Sequence, residues 1–449
     1  MRISAVTWRA ASLSWQLSSA ILDVLRVRAA NLSQKWSMVI QELAEVSFTD
    51  ISHGGEGIGR LEGKVVFAPY VLPGEKARIR LIEDRKSYMR GEVVEILTPS
   101  PQRVKPPCRH FGECGGCHWQ HVTYPAQLAL KEEIVRAQLA RLGGLLQAPV
   151  QPVLGMDFPW NYRNHVQFAV DPDGALGYLA ARSHRVVAIE ECYLLHAYLE
   201  DILAALDVEW PALRRLSLRA GINTGDLMVI LETESAEQPD LEVDFPASFV
   251  WLPASGEAVS LIGNDYIREE IGGRTFRISA PSFFQVNTAQ TEHLVRLVQE
   301  GLQPSGDELL LDLYCGVGTF GLNLATQVGR VIGVEESAVA LDDAVENAAD
   351  LPNVEFWEGR VADALPEVED PVQLAIVDPP RSGIEPEALV ALISLAPRRL
   401  VYVSCDPASL ARDLKVLVAA GYKLESVQPV DMFPQTYHVE SVTVMSRDG

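Results

Sequence analysis

Leu309-Leu310-Leu311-Asp312-Leu313-Tyr314-Cys315-Gly316-Val317-Gly318-Thr319-Phe320-Gly321 reads as an apolar strand that runs straight into a glycine-rich turn and then a helix. Glycines there let a cofactor approach the backbone in front of a helix N-terminus. A second strand, residues 331–334, ends in Glu335, where an acid can accept hydrogen bonds from the two ribose hydroxyls of an adenosine cofactor. The unit therefore takes either a dinucleotide or S-adenosylmethionine. Read literally, Gly316-x-Gly318-x-x-Gly321 is the dinucleotide fingerprint, a weak signal alone. From here to the C-terminus strands and helices alternate as they do in a doubly wound parallel sheet, which makes the last third an α/β Rossmann-like domain.

Two more strands of this sheet end in chemistry-bearing turns. Leu374-Ala375-Ile376-Val377 stops at Asp378-Pro379-Pro380-Arg381, which places a carboxylate and a rigid turn beside the cofactor; a hydride-transfer enzyme has no evident use for it. Leu400-Val401-Tyr402-Val403 stops at Ser404-Cys405-Asp406-Pro407. Ligands of open α/β sheets bind beyond the carboxyl ends of the strands, so a thiol delivered there can meet substrate, and Cys405 is the candidate nucleophile. The alternative is a small hydrophobe packed at a strand terminus.

Upstream, residues 1–37 carry Arg2, Arg9, Arg26, Arg28 and Lys35 against the single acid Asp23. The composition is that of a transit peptide or of a stretch translated from the wrong start. Met38 immediately precedes the first well-patterned strand, and a start there is the expectation. Between 38 and 100, short alternating strands (42–48, 60–67, 76–83 and 88–97) separated by glycine turns suggest a small barrel of OB type. Arg60, Lys64, Lys76, Arg78, Arg80, Arg85, Lys86 and Arg90, continued by Arg103, Lys105 and Arg109, predict a basic groove, with Phe67, Tyr70 and Tyr88 available to stack on single-stranded nucleic acid. A solvated basic face on a structural domain is the competing reading.

Cys108, Cys114 and Cys117 then crowd around Gly115-Gly116, and Cys192 is the remaining cysteine outside the catalytic half. Four thiolates fit tetrahedral zinc or an iron–sulfur cluster, and spacing alone favours zinc. Residues 124–142 form an amphipathic helix. Residues 149–280 mix strands (164–170, 186–189, 216–221, 227–232, 275–278) with helices in an α+β pattern, where His165, His184 and His196 read as ordinary polar or capping histidines. Pro281-Ser282-Phe283-Phe284-Gln285-Val286-Asn287 breaks the pattern before a helix at 291–301.

With 449 residues, 48% hydrophobic and 22% charged, the chain is an ordinary multidomain globular protein. No apolar run approaches the ~20 residues of a membrane span. Six cysteines are too few and too uneven for a secreted disulfide framework, which places the protein in the cytoplasm with metal-binding or catalytic cysteines. A net charge of −22 argues against a polyanionic partner unless a local patch reverses it, as the barrel promises to do.

Leu311-Asp312-Leu313-Tyr314-Cys315-Gly316-Val317-Gly318, Asp378-Pro379-Pro380, Ser404-Cys405-Asp406-Pro407 and His438-Val439-Glu440-Ser441-Val442, in that order, closely resemble the motifs of the S-adenosylmethionine-dependent RNA uridine C5-methyltransferases. The resemblance runs from about Met38 to the C-terminus. In the ribosomal-RNA branch of that family a TRAM barrel and a four-cysteine [4Fe-4S] site precede the catalytic domain, whereas the transfer-RNA branch lacks both. The resemblance therefore implies a TRAM barrel at 38–100, a central domain at 101–285 with the cluster on Cys108, Cys114, Cys117 and Cys192, and a methyltransferase domain at 286–449. It implies 23S ribosomal RNA as substrate, with no membrane and no obligate protein partner. Family roles fall on Gln285, Tyr314, Glu335 and Asp378 for the cofactor, on Cys405 as nucleophile and on Glu440 as base. Relatives commonly place an acid after the glycine of the third strand to hold adenine; this chain has Gly359-Arg360, and Asp363 is the substitute to consider. Three alternatives are weighed. An iron–sulfur nucleotide-dependent oxidoreductase leaves Asp378-Pro379-Pro380 unexplained, a silent RNA-binding protein has no use for Cys405 and Glu440, and a transfer-RNA methyltransferase shares the chemistry.

Overall fold

The computed structural model describes residues 43–206, 210 and 212–447, so the expected start at Met38 lies outside the described residues. Strands Leu43–Ile51, Gly57–Leu61, Lys64–Ala68, Lys76–Asp84 and Tyr88–Thr98 close into a barrel. Their alternation turns Val46, Phe48, Val66, Ala68, Ala77, Ile79 and Leu81 into its core. The run expected as one strand over 60–67 is a hairpin. Glu62 and Gly63 both take positive φ, 49° and 84°, the two-residue turn whose twist suits flanking antiparallel strands.

The expected basic groove does not form on the barrel. Residues 43–98 hold eight bases against nine acids. Among the described residues, all those bases but Arg60 and Lys86 are ion-paired: Lys64 with Asp84, Lys76 with Glu45, Arg78 with Glu45 and Glu95, Arg80 with Glu92, Arg85 with Glu83, and Arg90 with Glu56. Acids interleaved on neighbouring strands neutralise the run. Phe67 and Tyr88 do sit together, ring centres 6.0 Å apart, with the Arg90 guanidinium over both.

A central seven-stranded sheet comes next, built from His165–Val170, Leu176–Leu179, Val186–Ala188, Leu213–Ala220, Leu227–Thr233, Ser248–Leu252 and Val259–Ile262, with helix Ala197–Ala205 packed on it. The mixture is the α+β pattern expected. His196 caps that helix, its imidazole accepting from the Tyr198 amide. A separate hairpin, Tyr266–Ile271 with Arg274–Ser279, leads to helix Thr288–Leu302.

The C-terminal sheet comprises β1 (Leu309–Leu313), β2 (Arg330–Glu335), β3 (Val354–Glu358), β4 (Leu374–Val377), β5 (Arg399–Ser404), β6 (Lys423–Val430) and β7 (Glu440–Ser446), in the order 3-2-1-4-5-7-6. The first five are parallel. β7 inserts antiparallel between β5 and β6. Central strand β4 is apolar throughout, and β1 is apolar but for Asp312, because both faces are covered by two separate layers of buried side chains.

Helix Tyr124–Arg141 packs against helix Pro407–Ala419 of this domain and reaches beneath the segment 431–439 that feeds β7. Lys131 and Asp431, both fully buried, form an ion pair there; Lys131 also donates to the Phe433 carbonyl at 3.0 Å, and the Tyr124 hydroxyl donates to Asp431 at 2.9 Å. Gln127 and Gln435 bond reciprocally at 2.9 and 3.0 Å. Buried polar pairs of this kind add little net stability but accept one register of the chain.

Candidate active site

Ser404 at the end of β5 faces Ser441 near the start of β7. One step further along the same antiparallel register sets Cys405 opposite Glu440. On the other flank β4 runs parallel to β5, with Val377 beside Tyr402, and the next residue, Asp378, donates its amide to the Leu313 carbonyl at 3.2 Å. Three sequence-predicted residues, Asp378, Cys405 and Glu440, thus meet at one edge of the sheet. Cys405 is held by the turn on its C-terminal side: Asp406 Oδ1 accepts from the amides of Ala408 (2.9 Å) and Ser409 (2.8 Å), and Pro407 opens the helix.

The cleft is crowded with carboxyl groups. Burial, then Asp312 and Glu335, pushes Asp378 up to about 8. Burial raises Asp312 to about 7, although the Gly321 amide donates to its Oδ2 at 2.8 Å. Burial and Asp378 drive Glu440 well above the carboxylate range. The Cys405 thiol is pushed up to about 12 by burial, then Glu440 and Asp378, while Arg381 acts in the opposite sense. Arg381 is exposed and has no ion-pair partner among the described residues. Burial and mutual repulsion favour the protonated form of these carboxyls, and a cationic ligand beside them would favour the ionised one.

Glu335 stands at the end of β2 with its carboxylate accepting from the amides of Gly316 (2.9 Å) and Ser337 (2.8 Å), each oxygen keeping a further acceptor direction. Tyr314, at the glycine turn, adopts φ +62° and buries a hydroxyl that has no partner among the described residues. Asp312 Oδ1 is a second buried orphan. Unmet polar atoms at the strand ends, around a glycine turn, are what a bound polar ligand would satisfy. Gln285 is half-buried before helix Thr288–Leu302; its carbonyl accepts from Asn164, and its side-chain amide forms no hydrogen bond among the described residues. At the expected adenine position Arg360 reaches Glu385 at 3.0 Å, and the exposed Asp363 faces Arg360 rather than the cleft. Cys315 is buried against Gly333, a packed thiol rather than a rival nucleophile.

Cys108, Cys114, Cys117 and Cys192 line one cavity of about 240 Å³, together with Arg163, Tyr178, His118 and His438. The Gly116 amide donates to Cys114 Sγ at 3.4 Å. Among the described residues no group of three or more His, Cys, Asp or Glu side chains is arranged to hold a metal ion, so the four cysteines share a cavity without forming the ligand set expected for either zinc or an iron–sulfur cluster. The same loop reaches the active site: the amides of His118 and Trp119 donate to the Gln435 carbonyl at 3.0 and 2.9 Å, five residues before Glu440.

Comparison with known proteins agrees with this geometry. The TRAM domain family matches residues 39–94, and the tRNA (Uracil-5-)-methyltransferase family matches residues 253–357 and 370–448. An RNA methyltransferase of Thermosynechococcus vestitus is 37% identical over 440 residues, covering 90% of this chain and 97% of its own. The chain belongs to the RNA uracil-5-methyltransferase family. Within the family, an RNA methyltransferase of Bacillus cereus is 38% identical over 446 residues, spanning 90% of this chain and 97% of that one. Among solved structures, the Pyrococcus abyssi tRNA (uracil-54, C5)-methyltransferase in complex with S-adenosyl-L-homocysteine superimposes with a TM-score of 0.70 at 28% identity, over 90% of this chain and 100% of that one. No helix among the described residues is long and apolar enough to cross a membrane.

Two residues of this cleft escaped the sequence reading. Asp312 left a signal, being the one acid in an otherwise apolar buried strand. Arg381 left none beyond its place after the two prolines.

The raised carboxyls have a measurable consequence. Asp312 and Asp378 titrate above their ordinary value of 3.8, so between about pH 4 and pH 8 the folded chain binds more protons than the unfolded one, and their stabilising contribution is lost as pH rises through that window. The buried histidines His118, His121, His165 and His438, held neutral by burial at about 3 to 4, work oppositely but only below their unfolded value of 6.5. Cofactor-free protein should therefore lose melting temperature from about pH 6.5 to about pH 8.5, and Asp378→Asn should lose less. Parallel curves for the two proteins would contradict the assignment.

Proposed function

We propose that the chain methylates carbon 5 of a uridine in RNA, with S-adenosylmethionine as the methyl donor, Cys405 as nucleophile and Glu440 as base. The reading rests on the β5–β7 register, which ends at Ser404 facing Ser441 and so brings the adjoining Cys405 and Glu440 together, close enough for the Glu440 charge to act on the thiol. Carbon 5 of uracil is a poor nucleophile, but addition of the Cys405 thiolate at carbon 6 turns the ring into an enolate with charge at carbon 5. S-adenosylmethionine supplies the methyl group that carbon 5 then takes. Glu440, ionised when the cationic cofactor offsets the charge of Asp378, accepts the carbon 5 proton, and elimination returns the Cys405 thiolate. Tyr314, Glu335, Asp378 and Gln285 would hold the cofactor, its sulfonium and ammonium answering the carboxyl charge of the cleft. Burial, and then Glu440 and Asp378, push the Cys405 thiol up to about 12; a cationic ligand beside the two carboxyls would offset their part of that shift. The target base must leave any stack to reach this edge of the sheet.

We further propose a resident [4Fe-4S] cluster, on the ground that Cys108, Cys114, Cys117 and Cys192 all line one cavity. It would act structurally, bracing residues 108–119 against Gln435. Anaerobically purified protein should be brown, with iron and acid-labile sulfide; stoichiometric zinc without sulfide would refute the assignment. The barrel at 38–100, the cysteine-bearing domain at 101–285 and the methyltransferase domain at 286–449 together favour 23S ribosomal RNA and a cytoplasmic setting. Transfer RNA is the second reading, because the Pyrococcus abyssi tRNA enzyme aligns with 90% of this chain. Mapping 5-methyluridine in both RNAs from a deletion strain separates the two.

The two catalytic roles predict different failures. Cys405→Ala should bind RNA and cofactor, form no adduct and lose turnover by more than about a thousandfold. Glu440→Gln keeps shape without basicity, so it should add, methylate and stall as a denaturant-resistant protein–RNA species carrying the labelled methyl group. Denaturing electrophoresis with methyl-labelled cofactor reads both. A Cys405 mutant that still crosslinks, or a Glu440 mutant that traps nothing, would remove the corresponding role.

A further inference from the structure

We propose that the barrel loop of residues 52–56 is a working part of the catalytic centre and that His53 is a positioning residue for Cys405; this rests on reading Cys405 as the nucleophile. The loop joins the first two barrel strands and is rigidly built. The Ser52 amide donates to the Glu56 carbonyl at 2.7 Å, the Gly55 amide to the Ser52 carbonyl at 2.9 Å, and the Glu56 amide to Ser52 Oγ at 3.0 Å. The Glu56 carboxylate is clamped by Arg90 at 2.7 and 2.8 Å and by Arg182.

From this platform His53 Nε2 reaches Asp406 Oδ2 at 3.0 Å. An ionised carboxylate only accepts, so Nε2 is the protonated nitrogen. The other oxygen of Asp406 already holds the first turn of helix Pro407–Ala419. The residue after Cys405 is therefore gripped from both sides, by its own helix and by the barrel. The second ring nitrogen of His53 is buried without a partner, so Asp406 is the one polar contact of this side chain among the described residues, and neither nitrogen is presented to an RNA phosphate.

The same loop touches the segment that leads to the base. Gly55, at φ +76°, lies flat on Tyr437: a Cβ there would fall 2.7 Å from Tyr437 Cβ. Its carbonyl accepts from Trp119 Nε1 at 3.2 Å. One loop of the N-terminal barrel thus braces both the turn that presents Cys405 and the segment that presents Glu440. Loss of a positioning contact of this kind lowers the rate of the chemical step while leaving binding in place.

The test uses the full chain and two substitutions of similar bulk: His53→Met cannot donate, whereas His53→Gln carries an amide N–H near the position of Nε2. RNA containing 5-fluorouridine traps the adduct, because fluorine at carbon 5 cannot be removed as a proton is. Wild-type, H53M and H53Q proteins are compared for adduct formation in single turnover, for kcat and KM with ordinary RNA, and for melting temperature. His53→Met should form adduct about tenfold more slowly and lose kcat by a similar factor, with KM for RNA within about twofold of wild type; His53→Gln should recover most of the rate. A raised KM with unchanged kcat, or equal losses in the two variants, would overturn the role of His53. Wild-type protein that traps no adduct would instead overturn the Cys405 reading itself.

Discussion

Ser404 and Ser441 face each other across the antiparallel pairing of β5 and β7, and the chemistry of the cleft depends on that register. Side chains alternate with a period of two, so a slip of one residue would turn Glu440 away from Cys405 and move the buried Val442 and the half-buried Val444 with it. The register is enforced from inside, by Val401, Val403, Val442 and Met445 in the two core layers. It is also enforced from outside the domain. Lys131 on Asp431, Gln127 on Gln435 and the amides of His118 and Trp119 all secure the segment that enters β7. The cysteine-bearing loop is thereby mechanically joined to the residue best placed to act as base.

Charge decides which cofactor the glycine turn serves. Burial first, and then the crowding of Asp312, Glu335, Asp378 and Glu440 in one cleft, raise the proton affinity of its buried carboxyls, and a pyrophosphate brought among them would add to both penalties. A sulfonium with an adjacent ammonium relieves the repulsion. The dinucleotide fingerprint in the sequence is therefore a backbone requirement for close approach, shared by both ligand types, while the acids choose between them. Electrostatics also redefine the barrel. With eight bases balanced by nine acids it offers no strong field to a polyanion, and what it presents is the Phe67–Tyr88–Arg90 surface.

How much could be read from the chain depends on how local each feature is. The strand-turn-helix at Leu309 to Gly321 and the strand ends at Asp378 and Cys405 are written in consecutive residues, and their placement needed no tertiary information. The Cys405–Glu440 pairing spans 35 residues of chain and depends on β7 inserting between β5 and β6, which no periodicity announces; family resemblance alone pointed to it. The barrel charge was misjudged because bases were counted without the acids opposite them on neighbouring strands. The hairpin at Glu62-Gly63 was missed because two short alternating runs in phase look like one. Short strands such as Leu176–Leu179 and Val259–Ile262 carry too few residues to establish a period.

Replacement of the carbon 5 hydrogen of uridine is the central claim, and it can be measured directly. RNA labelled with tritium at carbon 5 of its uridines, incubated with the enzyme and S-adenosylmethionine, should release one tritium to water for each methyl group incorporated. Methyl incorporation with the tritium retained in the RNA would mean that the group goes to another atom, and the account of Cys405 and Glu440 would fall with it.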